Sequence, residues 1–450
     1  MRERIVALAL IAGCSFTPTY ERPKPPVANA FAHGGGQGLA AADRGWHDVF
    51  GDPRLQAVIE LALQTNRNLR IAVLNVEATR AQYRIQRSAL LPEVSGSASV
   101  DVRGSNADVS TEYRVGVGAT FELDLFGRVR SLNAAALEDY LATEEAQRAT
   151  HLALVGEVVA QYLRERAYDE QRILAERTLA TVRESQDMTA RLLEAGQRSD
   201  LDVRTAEAQV FAARAEVARL TRLRAQAENA LVLLVGQALP EQLPAAQPLE
   251  TASVVADLPA GIPSDVLLRR PDILGAEHAL RAANANIGAA RAAFFPAISL
   301  TGFAGLASTA LSSLFTGGLA WSFSPQLSVP LFTGGRNAAN LDAAKVRKKI
   351  EVARYEQAIQ SAFREVADAL VARATYDDQL AAQTARAVAE QKRFELSETR
   401  YKNGVESYLT VLAAQQDLYA TQQQLIELRL ARLTNLAQLY TALGGGWRDR

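Results

Sequence analysis

Shifted by 208 positions, this sequence matches itself. Glu157-Val158 falls on Glu365-Val366, and Tyr168-Asp169-Glu170-Gln171 on Tyr376-Asp377-Asp378-Gln379. Gly196, Ser199, Leu201, Val203 and Gly236 fall on Gly404, Ser407, Leu409, Val411 and Gly444. With small slips the match continues upstream. Leu91-Pro92-Glu93-Val94-Ser95 pairs with Phe295-Pro296-Ala297-Ile298-Ser299, and Leu125-Phe126-Gly127 with Leu331-Phe332-Thr333. The period is far longer than the ~20–50 residues of a solenoid repeat. It marks a duplicated half-molecule, so each half is expected to build the same elements in the same order. The expected organisation is a leader at 1–13, an extended N-terminal tether at 14–51, a first repeat at 52–236, a Pro-rich linker at 237–262, a second repeat at 263–444 and a tail at 445–450.

Within each half a helical segment comes first (Leu55 to Ala89; Ser264 to Ala293). Two strands follow, at about 92–104 and 112–126 in one half and 296–306 and 319–332 in the other. A very long helix (Arg128 to Leu193; Asn337 to Tyr401), a Gly turn and another helix (Asp200 to Val235; Ser407 to Leu443) complete the half. The strand signal is period-2 alternation. Tyr113, Val115, Val117, Ala119, Phe121, Leu123 and Leu125 alternate with Arg114, Gly116, Gly118, Thr120, Glu122 and Asp124. Leu319, Trp321, Phe323 and Leu327 alternate with Ser322, Ser324, Gln326 and Ser328. The resulting ribbon has one apolar and one polar face, at a length that suits a bilayer.

Four strands cannot close a barrel, for which about eight is the practical minimum. Open edges in lipid would leave unpaired amides costing several kcal/mol each. If the strands enter a membrane, identical copies must complete the barrel: two supply the minimum, three supply a wider lumen. The helices make a similar demand. Arg128 to Leu193 would run ~100 Å, beyond the diameter of a compact domain. The last helix carries two apolar seams, Leu409, Leu412, Tyr419, Ile426, Leu430, Leu433, Tyr440 and Val411, Ala414, Leu418, Leu425, Leu428, Leu439, Ala442. One seam serves a two-helix coiled coil; two seams let a helix pack on both sides, as a closed wall requires.

Composition excludes other classes. The balance of 49 basic against 50 acidic residues argues against a generic nucleic-acid partner. A single Cys excludes a disulfide framework or a multi-thiolate metal site. His33, His47, His151 and His278 are scattered, and no catalytic triad order or Gly-rich phosphate loop is present, so no catalytic, cofactor or metal residues are expected. At the N-terminus, Arg2 and Arg4 precede the apolar run Ile5 to Ala12, which is too short to span a bilayer and reads as a secretory signal. The tetrad Ile11-Ala12-Gly13-Cys14 resembles a bacterial lipobox, which makes Cys14 the expected lipidation site and the outer membrane the expected destination.

The chain as a whole resembles the TolC-like outer membrane factors, in their efflux lipoprotein branch. The resemblance rests on Gly13-Cys14 with Pro18, Tyr20 and Pro23 behind it, Phe121-Glu122-Leu123-Asp124-Leu125-Phe126-Gly127, Arg269-Arg270-Pro271-Asp272-Ile273 and Phe294-Phe295-Pro296. It rests equally on Pro330-Leu331-Phe332-Thr333-Gly334-Gly335-Arg336, Arg400-Tyr401-Lys402-Asn403-Gly404 and Leu443-Gly444-Gly445-Gly446-Trp447. It implies a mainly α chain with a small antiparallel β part. Three such chains would close a twelve-stranded outer-membrane barrel, with a long α-helical barrel in the periplasm. The implied function is the passive exit duct of a tripartite pump, with a periplasmic adaptor and an inner-membrane transporter, of the resistance–nodulation–division type, as partners. By the same resemblance the turns at Gly196, Gly404 and Val405 form the periplasmic tip where the adaptor docks, and Asp202 and Tyr401 help hold that tip shut. Thr410 and Ala413 stand where relatives often carry lumen-facing acidic residues, so Leu409 and Leu412, with hydrogen bonds, are the expected gate here. The competing reading is a trimeric surface or structural lipoprotein without transport; the Gly hairpins, which turn the helices back, favour a tube.

Overall fold

The computed structural model describes residues 15–31, 44–104, 109–252, 269–316 and 318–445. The expected signal peptide, the expected lipidation site Cys14, His33, the later part of the linker and Trp447 lie outside the described residues. In chain order the elements are α1 (Trp46–Val49), α2 (Pro53–Thr65), α3 (Arg67–Ser88), β1 (Glu93–Gly104), β2 (Val109–Leu123), α4 (Arg128–Glu194) and α5 (Asp200–Val235). The second half supplies α6 (Pro271–Ala292), β3 (Ala297–Ser308), a short 3-10 turn at Leu311–Ser313, β4 (Leu319–Ser328), α7 (Arg336–Lys402) and α8 (Tyr408–Ala442). The duplication survives in the lengths: α4 and α7 each have 67 residues, and α5 and α8 have 36 and 35.

Three boundaries differ from the sequence expectation. The first helical segment is broken at Asn66, which stands in extended conformation between α2 and α3. There Asn66 Oδ1 accepts from Leu69 N at 2.8 Å, Asn66 Nδ2 donates to Leu234 O at 2.6 Å, and Thr65 Oγ1 donates to Val235 O at 2.6 Å. A side chain that caps the new helix while satisfying the end of another outweighs helix continuity. β2 runs from Val109 to Leu123 rather than from 112 to 126. Its end is fixed by Asp124, whose carboxylate accepts from Arg130 N at 2.9 Å and turns the chain into α4. β4 stops at Ser328 instead of 332, two residues before Pro330, which has no amide to extend the ladder.

The chain divides into two compact units. The first comprises residues through Pro26, Val73–Ala146 and Asp272–Ile359. Its centre is one antiparallel sheet in the order β1-β2-β3-β4, with β1 and β4 at open edges. The register puts Ser95, Ser97 and Ser99 beside Gly118, Gly116 and Arg114 on one face, and carries that face on to Thr301, Ser299, Ser324, Ser322 and Gln326. The other face presents Val94, Val100, Val117, Leu319, Trp321, Phe323 and Leu327, all exposed in a single chain. Phe303 is the exception: it belongs to the polar face, where it lies over the facing pair Gly116 and Gly305, whose bare backbones leave it room.

The N-terminal segment 15–26 is tied to the helices of this unit. Phe16 stacks on Phe295 at 4.5 Å, Asn284 Nδ2 donates to Pro18 O at 2.7 Å, and Thr17 passes so close to α6 that a Cβ on Gly288 would sit 2.9 Å from its Cα. The strongest tie is Glu277, only 3% exposed. Its carboxylate accepts from Tyr20 Oη at 3.1 Å, from Arg22 Nε and Nη2 at 3.1 and 2.5 Å, and from Arg281 Nη2 at 2.7 Å. Burial opposes the charge, but the hydrogen bonds from Arg22 and Arg281 outweigh it and hold the Glu277 carboxyl below its usual range. Burial and the neighbouring Glu277 push the Tyr20 hydroxyl up to about 12.

The second unit comprises Val27–Ala72, Gln147–Pro271 and the chain from Gln360 onward. Its core gathers Phe50, Val58 and Ile59 against Val155, Val158, Val159 and Leu163 of α4, Val366 of α7 and Leu439 and Tyr440 of α8. Two buried phenols are satisfied: Tyr162 Oη donates to Asp52 Oδ2 and Tyr440 Oη to Arg44 O, each at 2.7 Å. The halves share one further device in mirror form. Gln161 Nε2 of α4 donates to Ala227 O of α5 at 2.9 Å, whereas in the second half Asn435 Nδ2 of α8 donates to Ala369 O of α7 at 3.0 Å. These are the same two positions after the 208-residue shift, with donor and acceptor exchanged.

Glu277→Ala should free the segment 15–26 at a cost of about 2 kcal/mol, because it removes the acceptor of a partly buried charged cluster. Hydrogen exchange read by mass spectrometry should show that segment exchanging faster, with the sheet amides unchanged. Because the folded-state carboxyl is held below its unfolded value, the tie is complete above the ordinary glutamate range and is lost as pH falls through the lowered value. The unsubstituted protein should therefore loosen the same segment only once the pH has fallen below the ordinary glutamate range.

Candidate functional site

Most of the expected tip and gate residues lie at the two helix turns of the second unit. Each turn is built by glycine with positive φ, +69° at Gly196 and +73° at Gly404, where a side chain would be strained. The closing bonds match across the repeat: Gln197 N donates to Leu192 O at 2.8 Å, and Val405 N to Arg400 O at 3.0 Å. Both are the long bond of a Schellman stop, which satisfies a helix-end carbonyl. The next helix then starts on serine in both copies.

The two starts differ in chemistry. In the first, Ser199 and Asp202 form a capping box: Asp202 N donates to Ser199 Oγ at 3.3 Å, while Asp202 Oδ2 accepts from Ser199 N at 3.2 Å and Ser199 Oγ at 2.9 Å. In the second, Thr410 N donates to Ser407 Oγ at 3.4 Å and Thr410 Oγ1 to Glu406 Oε1 at 3.1 Å. Glu406 is held in turn by Arg400 Nε at 3.0 Å.

Behind the turns, Tyr401, Tyr408, Val411 and Ala206 form a buried cluster with Met188, Leu192 and Phe394 around them. Tyr401 is 4% exposed, its ring 5.7 Å from that of Tyr408, and its hydroxyl has no hydrogen-bond partner among the described residues. The Arg198 guanidinium sits over the Tyr401 ring at 4.4 Å, so a cation from the first turn covers an aromatic from the second. Burial, chiefly, raises the Tyr408 hydroxyl above its ordinary value.

Of the residues singled out from sequence, the structure brings together Gly196, Asp202, Gly404, Val405, Tyr401 and Leu409 at this end of the helices. Asp202 spends its carboxylate on its own helix start rather than on Tyr401. Val405 and Leu409 are 64% and 65% exposed in the single chain. Leu412 lies deeper, lining a cleft of about 270 Å³ among α4, α5 and α8 with Val182, Gln209, Gln415 and Tyr419.

Sequence reasoning missed the polar ladder beside that cleft. Gln416 Nε2 donates to Gln209 Oε1 at 3.3 Å and Tyr419 Oη to Glu216 Oε1 at 3.4 Å, while Arg219 grips Glu216 through two 2.7 Å bonds. Hydrogen bonds from Arg219 hold the Glu216 carboxyl below its usual range, against the opposing effect of burial. The signal for it was the polar interruption of the α8 seams at Gln416. The exposed Asp417 pairs with Arg393 at 2.8 Å. Among the described residues no group of three or more His, Cys, Asp or Glu side chains is arranged to hold a metal ion, and no helix is long and apolar enough to cross a membrane.

Comparisons with known proteins agree over nearly the whole length. The model of the family "Outer membrane efflux protein" matches residues 58–237 and 262–445. The solvent efflux pump outer membrane protein SrpC of Pseudomonas putida is 48% identical, with 98% of this chain and 97% of the relative covered. The cation efflux system protein CusC of Escherichia coli is 44% identical over 99% of this chain and 98% of its own. Among solved structures, the open state of the Neisseria gonorrhoeae MtrE outer membrane channel superposes with a TM-score of 0.91 at 45% identity, covering 97% of this chain and 99% of that one. A duplicated chain with a two-faced sheet, paired Gly turns and this likeness belongs to the outer membrane efflux protein family, as an outer-membrane channel component of an efflux system and not an enzyme.

Proposed function

We propose that three copies of this chain join their four-stranded sheets into one twelve-stranded barrel and act as the passive exit duct of a tripartite pump, anchored in the outer membrane through a lipid on Cys14. The observation that carries this reading is the sheet itself. Its two edges are open, one face is serine, glycine and threonine, and the other is valine, leucine, phenylalanine and tryptophan. A ring of such sheets has no edge, a wet inside and an apolar outside.

The periplasmic adaptor would dock at the turns around Gly196, Gly404 and Val405. The exposed Val405 offers it an apolar contact on a backbone that glycine fixes. The transporter behind the adaptor would be an inner-membrane pump of the resistance–nodulation–division type. The Arg198–Tyr401 stack joins the two turns, which supports a role for Tyr401 in holding the tip shut, with Asp202 bracing the start of α5 and Leu409 and Leu412 narrowing the passage. The relatives are named for solvents, antibiotics and cations; the cargo of this duct is a small molecule handed over by its pump.

Purified protein should be a trimer and should conduct ions in planar bilayers, in brief and infrequent openings. Arg198→Ala or Tyr401→Ala should raise the open fraction about tenfold, the shift that loss of a partly buried cation–π contact supports. A monomer that never conducts, with either substitution, would overturn the reading. In cells fed labelled palmitate, the native chain should take up label and Cys14→Ser should not.

A further inference from the structure

Every junction between a strand and its flanking helix carries arginine: Arg87 before β1, Arg128 and Arg130 after β2, Arg291 before β3, and Arg336 after β4. The register puts all of these junctions at one end of the sheet, since Glu93 pairs with Thr120, Leu123 with Ile298, and Ala297 with Ser328. The inner junctions are compensated. Arg128 donates to Glu122 at 2.9 and 2.5 Å, Arg130 Nε to Asp124 Oδ2 at 3.2 Å, and Arg291 Nη1 to Phe16 O at 3.1 Å. The edge junctions are not. The side chains of Arg87 and Arg336 are exposed and have no ion pair or hydrogen bond among the described residues.

The uncompensated arginines sit next to uncovered apolar groups. Leu331 and Phe332, just ahead of Arg336, are 92% and 91% exposed, and Ile85 and Leu91 flank Arg87 on the other edge. Identical sheets closing a cyclic ring must join unlike edges, β4 of one copy to β1 of the next. That pairing is antiparallel and brings Arg336 of one copy and Arg87 of the next to the same end of the same seam. Two guanidinium groups without a carboxylate, beside a band of leucine and phenylalanine, match a group that is anionic at its head and hydrocarbon at its tail.

We propose that each seam between copies holds the phosphate of a phospholipid of the periplasmic leaflet between Arg336 and Arg87, with its acyl chains against Leu331 and Phe332. The proposal rests on the ring described under the proposed function and adds a ligand that joins its copies.

Native mass spectrometry of delipidated protein in non-ionic detergent tests it, with dioleoylphosphatidylglycerol, phosphate-free dioleoylglycerol and inorganic phosphate as separate probes. The native trimer should retain phosphatidylglycerol, one molecule per seam. R87Q/R336Q should retain it at least about tenfold less tightly, the loss of one charge-assisted contact being enough for that factor. Arg87→Lys with Arg336→Lys, which keeps both charges, should fall between. Equal retention by the glutamine variant overturns the proposal, as does equal retention of dioleoylglycerol or equally tight binding of inorganic phosphate. So does a glutamine variant that loses its trimer in lipid-free detergent, for then the arginines pair with protein, with Glu93 of the adjoining copy the nearest carboxylate in sequence. A native protein that is monomeric before any lipid is added sinks the ring and the site together; a trimer indifferent to phosphatidylglycerol sinks the site alone.

Discussion

A strand in hydrocarbon has no water to satisfy its amides, so every backbone donor and acceptor must meet another strand. That requirement governs this molecule. β2 and β3 are paired on both sides, while β1 and β4 each offer a whole row of unpaired groups outward. The apolar face makes the same demand in another form, with Trp321, Phe323 and Leu319 left uncovered by the chain's own helices. A soluble domain would fold a helix across such a face. Here the helices of the same unit hold the N-terminal segment and one another instead, and the apolar face and outer strands of the sheet are left uncovered.

Each half contributes two strands and a long helical hairpin, and the chain needs both to have a four-stranded sheet at all. At the two turns the halves differ in chemistry. The first turn closes with an internal capping box; the second spends its acidic group on Arg400 and carries a threonine where the first has Asp202. Arg198 reaches from one turn to the aromatic ring of the other. Two copies of one motif have become two unlike parts of a single end.

The elements governed by period were legible in the sequence. Alternation marked the strands, and the self-match marked four helices whose observed ends fall within about two residues of those expected. What was not legible depends on contacts between residues far apart in the chain. The break at Asn66 exists because its amide meets Leu234, 168 positions away. The anchoring of the N-terminal segment depends on Glu277, 255 residues from Arg22, and nothing local distinguishes that glutamate from its neighbours. Phe303 sits on the polar face because two glycines on adjacent strands happen to align. At the candidate site the turns were readable from glycine alone. The burial of Tyr401 under Arg198 was not, because it arises from packing between the two halves.

The exchanged amide contact between the halves has a consequence for how such a chain can vary. In one hairpin the long helix supplies the carboxamide and its return helix an alanine; in the other the assignment is inverted. A recombinant joining α4 to α8 would set Gln161 and Asn435 at one crossing and crowd it. The complementary recombinant would set Ala227 and Ala369 there and leave a gap. The pair thus fits each long helix to its own return helix, so the two copies are no longer interchangeable at this crossing.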